Sequence, residues 1–439
     1  MMKKTARQIA FEILLKIEKD KAYSNLAIDS AVKAYCPDST DCAFISHLVY
    51  GVIERKITLD YIFSKYLKQP VNKLKKDVLT ILRLGTYQIV FSEKIPESAA
   101  VNESVKLAKN NKCGHASGLI NAVLRNIARN GFQLDDSLSA TEKISIKYSA
   151  PEDLVKFLSY HYGEENAENF LLSALEPKKV IIRVNTIKTT LEKLIEQLVS
   201  EGVECSSLSL ENALEIKLNR AVYELESFKK GLFHVEDLSS QLCVEALGAF
   251  PGCTAIDVCA APGGKSFTIA EYMNNQGELY SCDIYEQRTK LIEDGAKRLG
   301  LTSIKTSVSD ATKFNSEFPT ADVVLCDVPC SGLGIIGKKP EIKYKNLDEI
   351  KELIPIQKEI LSVSSQYVKK GGRLVYSTCS VNPNENRKVC DAFLKENSDF
   401  RSIKVLPHIE RTIDEGDYLT LMTHKNNCDG FFIALFERK

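Results

Sequence analysis

Apolar residues recur at i, i+3, i+4 and i+7 in four places within the first 130 positions: Ala10, Ile13, Leu14, Ile17; Ile45, Leu48, Val49, Val52; Leu59, Ile62, Phe63, Tyr66; and Ile120, Val123, Leu124, Ile127. That period lays one apolar stripe along a helix, so the segment reads as a small all-α domain over 1–140, with Pro37, Pro70 and Pro96 at breaks between helices. The texture changes after about residue 140. Two short helical patterns lead into KVIIRVNT (179–186), a β-branched run that predicts a strand. An amphipathic helix over TTLEKLIEQLVSEG and strand-like VECSSLS and ALEIKL complete a small α+β middle domain over 141–235. From 236 to 439 helical patterns alternate with the runs TAIDVCA, ELYSCDI, ADVVLCDV, GRLVYSTC and FFIALFE. Such alternation predicts an α/β, Rossmann-like domain: a parallel sheet with helices on both faces and ligands at the carboxyl ends of the strands.

Length and composition fit this multi-domain reading. The 439 residues are 44% hydrophobic and 26% charged, enough apolar surface for several cores and against a disordered chain. No run approaches the roughly 20 apolar residues a bilayer demands, and charges interrupt the apolar positions of MMKKTARQIAFEILLKIEKD, so neither a membrane span nor a signal peptide is expected. Thirteen cysteines, an odd number, point to thiols in a reducing cytoplasm rather than a disulfide framework. The six His (47, 115, 161, 234, 408, 424) show no HxxxH spacing and no Cys/His cluster has zinc spacing, so no metal is expected. Net charge is zero, but residues 1–130 hold 21 basic against 12 acidic side chains and the remainder 37 against 46. The first domain is therefore strongly basic and the rest acidic, which suits a nucleic-acid partner for the former.

The candidate chemistry lies at the predicted strand ends. Thr254–Val258 runs into Cys259-Ala260-Ala261-Pro262-Gly263-Gly264-Lys265, with a helix beginning at about Ser266. Small residues and two glycines at a strand-to-helix turn let backbone approach a ligand closely, with free N–H groups at the helix start facing it. GKS invites a phosphate-loop reading, but GxxxxGK[ST] requires Gly at 259, which is Cys, and GxGxxG is missing. A loop for a nucleoside without a pyrophosphate fits better. Nineteen residues after Gly264 comes Asp283, the spacing at which a carboxylate accepts ribose hydroxyls, and a third strand end supplies Asp310 for an adenine amino group. Each aspartate alone is more often a cap or turn residue; the three strand ends together fit S-adenosylmethionine.

Two further strand ends carry Asp327-Val328-Pro329-Cys330-Ser331-Gly332 and Tyr376-Ser377-Thr378-Cys379-Ser380. A lone Cys at a strand end is usually a small core residue. Two at adjacent strand ends, one after Asp-x-Pro, suit alkylation of a poorly nucleophilic pyrimidine carbon. A thiolate adding to C6 of cytosine turns the ring into an enamine whose C5 can attack a methyl sulfonium. Which thiol adds is not decided by the pattern, since DNA cytosine methyltransferases use the Pro-Cys thiol.

The runs DVCAAPGGK, DVPCSG and STCSVNPNEN, preceded by GLFHVEDLSSQL and followed by DGFFIALFERK, resemble the RsmB (Sun/Fmu) family of 16S ribosomal RNA cytosine-C5 methyltransferases. The helical start resembles the NusB-like RNA-binding domain those bacterial proteins carry. The resemblance implies that Cys379 is the nucleophile, that Cys330 assists proton removal and enzyme release, and that Asp327 holds the cytosine N3/N4 edge. It also implies that Cys259, Ala260, Ala261, Pro262, Gly263, Gly264 and Lys265 cradle the methionine end of S-adenosylmethionine, with Asp283, Asp310 and Asp327 completing the cofactor site. Val328 stands where Ala is usual, Glu236 where Gln is usual, and Gly337–Glu341 where RRxPD is common, departures that touch loop detail rather than reactive groups.

The expected protein is thus a cytoplasmic, monomeric methyltransferase acting on 16S ribosomal RNA. Two rivals stand beside it: a transfer-RNA cytosine-C5 methyltransferase, and a noncatalytic NusB-like RNA-binding factor. Amine methylation fits poorly, because DVPC lacks the aromatic of an [DN]PP[YF] loop. Lys338, Lys339, Lys343 and Lys345 read equally as a solvated face or as phosphate contacts. Arg288 reads as a surface ion pair or a brace for the site, Arg183 and Asn185 match a family RxN strand without an assignable role, and Lys265 opposes the helix dipole, which suggests a function.

Overall fold

The computed structural model describes residues 4–20, 24–35, 37–218 and 220–439. The chain divides into two compact units, Met1–Leu175 with Ile336–Lys345, and Glu176–Ile335 with Asn346–Lys439.

The first unit is helical. The four apolar quartets fall on helices Ala6–Asp20, Ser39–Glu54, Lys56–Ser64 and Ser117–Asn130, with Tyr66 just beyond the third, and their stripes are buried in one core. Pro70 and Pro96 precede helical turns, and Asp38, directly after Pro37, caps Ser39–Glu54 by accepting from Asp41 N–H. Helices Ser24–Tyr35, Lys76–Val90 and Glu97–Asn110 were not evident from periodicity. The second is buried continuously from Val78 to Gln88, so no polar face marks its period. Within it Arg83 donates to both oxygens of Asp60 at 2.7 Å and to Glu18 at 3.0 Å, so part of the basic charge of this segment is internal. Helices Ala140–Tyr148, Glu152–Tyr162 and Glu164–Ser173 belong to the same unit.

The segment Ile336–Lys345 leaves the α/β part of the sequence to join this helical unit. Lys343, 2% exposed, donates to the carbonyls of Glu54 at 2.9 Å and Tyr148 at 3.4 Å. Tyr344 donates to Ile53 O at 2.8 Å, and Glu341 accepts from Ser24. At Lys343, then, both sequence readings are corrected: its ammonium is a buried hydrogen-bond donor that satisfies helix-end carbonyls, neither a solvated charge nor one presented to phosphate.

The second unit holds two sheets. β1 (Val180–Val184), β2 (Glu204–Ser207), β3 (Ala213–Lys217) and β4 (Phe233–Val235) form an antiparallel sheet in the order β2-β3-β1-β4, with helix Leu191–Ser200 packed on it. The larger sheet contains β5 (Thr254–Asp257), β6 (Glu278–Asp283), β7 (Ile304–Val308), β8 (Ala321–Asp327), β9 (Val368–Thr378), β10 (Phe400–Ile403), β11 (Leu419–Leu421) and β12 (Phe431–Arg438). Its order is β10-β12-β9-β8-β5-β6-β7, with β11 also on β12. Strands β5 to β9 are mutually parallel, and alternate residues feed two cores: Val323, Leu325 and Val375 on one face, Val324, Cys326, Leu374 and Tyr376 on the other.

The sheet is mixed rather than parallel throughout. β12 pairs antiparallel with β9, β10 and β11. A parallel neighbour needs a crossover of a dozen or more residues, whereas only residues 422–430 separate β11 from β12, so the chain must turn back on itself. The strand order reverses between β5 and β8, and ligands of open α/β sheets bind at such a point, beyond the strand carboxyl ends.

Candidate active site

The carboxyl ends of β5, β6, β8 and β9 carry the residues singled out from sequence. The loop after β5 turns at Gly263, whose φ of 113° is a left-handed conformation only glycine adopts freely, and a Cβ there would meet the Phe267 ring at 2.5 Å. Helix Gly264–Tyr272 follows at once, so the loop presents the unpaired N–H groups of a first helical turn. Lys265, at that turn, does not simply oppose the dipole. Its Nζ reaches Asp327 Oδ2 on β8 at 2.8 Å, and Ser377 on β9 donates to Asp327 Oδ1 at 2.8 Å, so one carboxylate joins three strand ends. Burial works against the Lys265 charge, but Asp327 outweighs it and holds the ammonium above its ordinary pKa.

Asp283 ends β6 and is buried, accepting from Tyr285 N–H at 3.1 Å. Arg288 lies 3.2 Å from its other oxygen and donates to the Ala261 carbonyl at 2.9 Å. Both readings of Arg288 describe it: half exposed, it forms an ion pair, and that pair ties the β6 carboxylate to the loop after β5. Asp310 sits two residues beyond β7. Its carboxylate accepts from Thr312 N–H and Oγ and pairs with Lys313 at 3.0 Å; the Thr312 hydroxyl and that lysine lower its pKa. It therefore makes the contacts of a turn residue, with both oxygens held locally.

The two thiols meet. Cys330 Sγ and Cys379 Sγ are 3.2 Å apart. The hydrogen bond with Cys379, then burial, push the Cys330 thiol well above its ordinary pKa, and either sulfur could be the donor of the pair. The Cys330 loop meets its neighbours through glycines: Gly334 N–H donates to the Cys379 carbonyl at 2.9 Å, and Gly430 N–H, in the connection before β12, to the Gly334 carbonyl at 2.9 Å. Cys259 is likewise held protonated, by burial first and neighbouring charges after it, so its part in the loop is steric and through its backbone.

Sequence reasoning passed over several residues here. Asp257 ends β5, accepts from Ser266 Oγ at 2.7 Å, and is pushed up to about 7 by burial. Its Oδ1 and the Oε1 of Glu236 are buried without a hydrogen-bond partner among the described residues. Glu236 Oε1 lies beside Gly264, 3.2 Å from where a Cβ would stand. An aspartate inside an otherwise apolar buried strand was the available signal for Asp257, because parallel strands covered on both faces are apolar throughout. The RxN pair proves structural. Arg183 on β1 pairs with Glu271 Oε2 at 3.1 Å, and Asn185 donates to Gly231 O and Leu299 O, both at 2.8 Å. His234 lies 3.5 Å from both Glu271 and Glu236, and Thr268 donates to Glu236 Oε2 at 2.5 Å, so a buried polar network ties β1 and β4 to the helix that opens at the loop.

Among the described residues no cluster of His, Cys, Asp and Glu could hold a metal ion, and no helix is long and apolar enough to cross a membrane. None of the twelve described cysteines is in a disulfide.

Comparison with known proteins matches residues 245–437 to a family described as 16S rRNA methyltransferase RsmB/F, residues 4–129 to the NusB family, and residues 150–223 to the ferredoxin-like domain of RsmF/B-like methyltransferases. The chain is 38% identical over its whole length, and that of the relative, to a probable ribosomal RNA small subunit methyltransferase B of Bacillus subtilis (strain 168). It is 34% identical to a protein of the same description from Synechocystis, over 98% of each chain. The crystal structure of PH0851 superposes with a TM-score of 0.83 at 26% identity over 99% of each chain.

Proposed function

Given that the chain belongs to the RsmB/F family of 16S ribosomal RNA methyltransferases, we propose that it transfers a methyl group from S-adenosylmethionine to C5 of a cytosine in 16S ribosomal RNA through a covalent Cys379–C6 adduct. The observation that carries the reading is the sulfur pair at 3.2 Å beside Asp327, a carboxylate tied by Lys265 to the loop after β5. Two thiols and a carboxylate at one strand-end cluster are what addition to, and release from, a pyrimidine ring require.

The residues fit the methyl donor. The loop Cys259–Lys265 offers close backbone approach and helix-start N–H groups, and the unpaired oxygens of Asp257 and Glu236 are acceptors suited to an ammonium. Asp283 would accept the ribose hydroxyls in place of Arg288, and Asp310 would take the adenine edge. The donor supplies an electrophilic methyl sulfonium. Cys379 Sγ adds to cytosine C6 and the ring electrons move to C5, while Asp327 holds the N3/N4 edge. After C5 is alkylated, Cys330 assists removal of the C5 proton; the ring double bond re-forms as the Cys379 S–C6 bond breaks. The basic NusB-like segment would grip phosphates around the target, and the cytosine must be extruded from any stack to reach the thiols.

The test combines two variants with bisulfite mapping of 16S and transfer RNA from cells with and without the gene. Cys379→Ala should bind the donor yet methylate nothing; Cys330→Ala should accumulate an RNA–protein adduct that survives denaturing electrophoresis. Full activity in Cys379→Ala would refute the nucleophile, and a mark appearing only in transfer RNA would refute the substrate.

A further inference from the structure

Directly after each reactive thiol stands a serine, and both serines are held by one side chain. Glu385 is fully buried. Its Oε1 accepts Ser331 N–H at 2.7 Å and Gln357 Nε2 at 3.0 Å; its Oε2 accepts Ser331 Oγ at 2.5 Å and Ser380 Oγ at 2.8 Å. The two hydroxyls are themselves 2.8 Å apart, and Gln357 also donates to Pro329 O at 3.0 Å, the residue before Cys330. A carboxylate offers about four acceptor positions, and here every one is taken by the two thiol loops or the helix behind them.

We infer that Glu385 is the positioning residue of the thiol pair, setting the separation of the Cys330 and Cys379 sulfurs through the serine that follows each. The inference rests on the reading of those thiols as the reacting groups. Glu385 is fully buried and its acceptor positions are filled from within the protein, so its effect passes through loop geometry. Hydrogen bonds between separate elements would otherwise have to be made by loops whose own backbone is irregular, and a single carboxylate with four donors fixes both at once.

A glutamine should substitute. Its amide oxygen at the Oε1 position still accepts from Ser331 N–H and Gln357, and its NH₂ at the Oε2 position donates to hydroxyls that can turn to accept. Alanine removes all four bonds. Geometry can be read without catalysis by phenylarsine oxide, which condenses with two neighbouring thiols: two S–As bonds form, the As–O bond breaks, and the oxygen leaves as water with both thiol protons. No oxidation state changes.

In the full-length protein, peptide mapping should find the 330–379 arsenical bridge in wild type and Glu385→Gln. In Glu385→Ala bridging should slow about tenfold or more, the factor that loss of a charge-assisted hydrogen bond supplies. Its kcat should fall by about 100-fold, the scale of a 1 Å misplacement, while KM for the methyl donor stays put. If Glu385→Ala does not fold, the double variant Ser331→Ala, Ser380→Ala removes two of the four donors and should also bridge more slowly. Bridging at the wild-type rate in whichever variant folds overturns the inference. So does a Glu385→Gln protein that bridges normally but turns over as poorly as Glu385→Ala, since the charge would then matter apart from geometry. Because bridging needs no methyl transfer, it stands apart from the fate of the nucleophile assignment.

Discussion

The Cys330 loop packs against the Cys379 loop and the connection before β12 with no room for a side chain at residue 334, and replacing Gly334 by alanine measures how tightly that packing sets the chemistry. A Cβ at Gly334 would lie 1.8 Å from the Gly430 carbonyl oxygen and 2.8 Å from that of Cys379. Carbon does not sit below 3.0 Å from such an atom, so a gap of at least 1.2 Å must open against Gly430 (from 1.8 to 3.0 Å). Neither obstacle is a flexible side-chain tip; both are backbone, and each belongs to the hydrogen-bonded crossing of the loops. Overpacking of this kind costs about 1–3 kcal/mol, and a displacement of about 1 Å at a reacting group costs about 100-fold in rate. Gly334→Ala should therefore lower the urea midpoint without changing the m-value, and lower kcat on 16S RNA more steeply than it raises KM for the donor. Stability within 0.5 kcal/mol of wild type together with normal kcat, measured by denaturation and tritiated methyl incorporation, would show that the loops do not need this approach.

Two other outcomes follow from buried charges. Burial raises the Glu271 carboxyl to about 7, against the opposing pull of His234 and Arg183. A carboxyl bound more tightly to its proton in the native state contributes stability that is complete below its unfolded pKa of about 4.3 and is lost as pH rises through about 7. Glu271→Gln removes that loss, so the stability of the variant relative to wild type should improve by about 3 kcal/mol between pH 4.5 and 8; a pH-independent difference in urea titrations would contradict the raised pKa. In the helical unit, Lys343→Ala leaves two buried carbonyls without their donor and a cavity where its stem lay, for a loss of about 2–4 kcal/mol. The same variant should keep the slope of log affinity against log salt for RNA, whereas a phosphate contact would lower it by about 0.7–0.9.

What could be read from sequence was whatever one stretch of chain carries by itself. The stripe Ile120, Val123, Leu124, Ile127 encodes its own helix, and the loop Cys259–Lys265 encodes its own turn, because period and glycine placement are local properties. Helix Lys76–Val90 is buried on all sides and so carries no stripe, and the direction of β12 depends on the short return from β11, which the apolar run FFIALFE does not record. Lys343, within the Lys338–Lys345 run, was not legible for a related reason. A lysine in sequence is a charge, but Lys343 is a donor only because Glu54 and Tyr148, nearly 300 and 200 positions earlier, turn carbonyls toward it.

The same limit separates the reacting groups from the group that places them. Cys330 and Cys379 are conspicuous by their chemistry at strand ends, and Asp327 by opening the Asp-x-Pro that leads to Cys330. Glu385 is one glutamate among many. It lies in the run STCSVNPNEN, but nothing in that run assigns it a role, which comes from donors at Ser331 and Gln357 brought to it by β8 and the helix Leu353–Ser365. Reactive atoms must be accessible and of particular elements, so residue type betrays them. A positioning group need only be buried and fully bonded, properties that exist after folding alone. The separation of the two sulfurs is thus a tertiary quantity, set by a carboxylate that reacts with nothing, and it should respond to changes at Glu385 or Gly334 as strongly as to changes at residues adjoining the thiols.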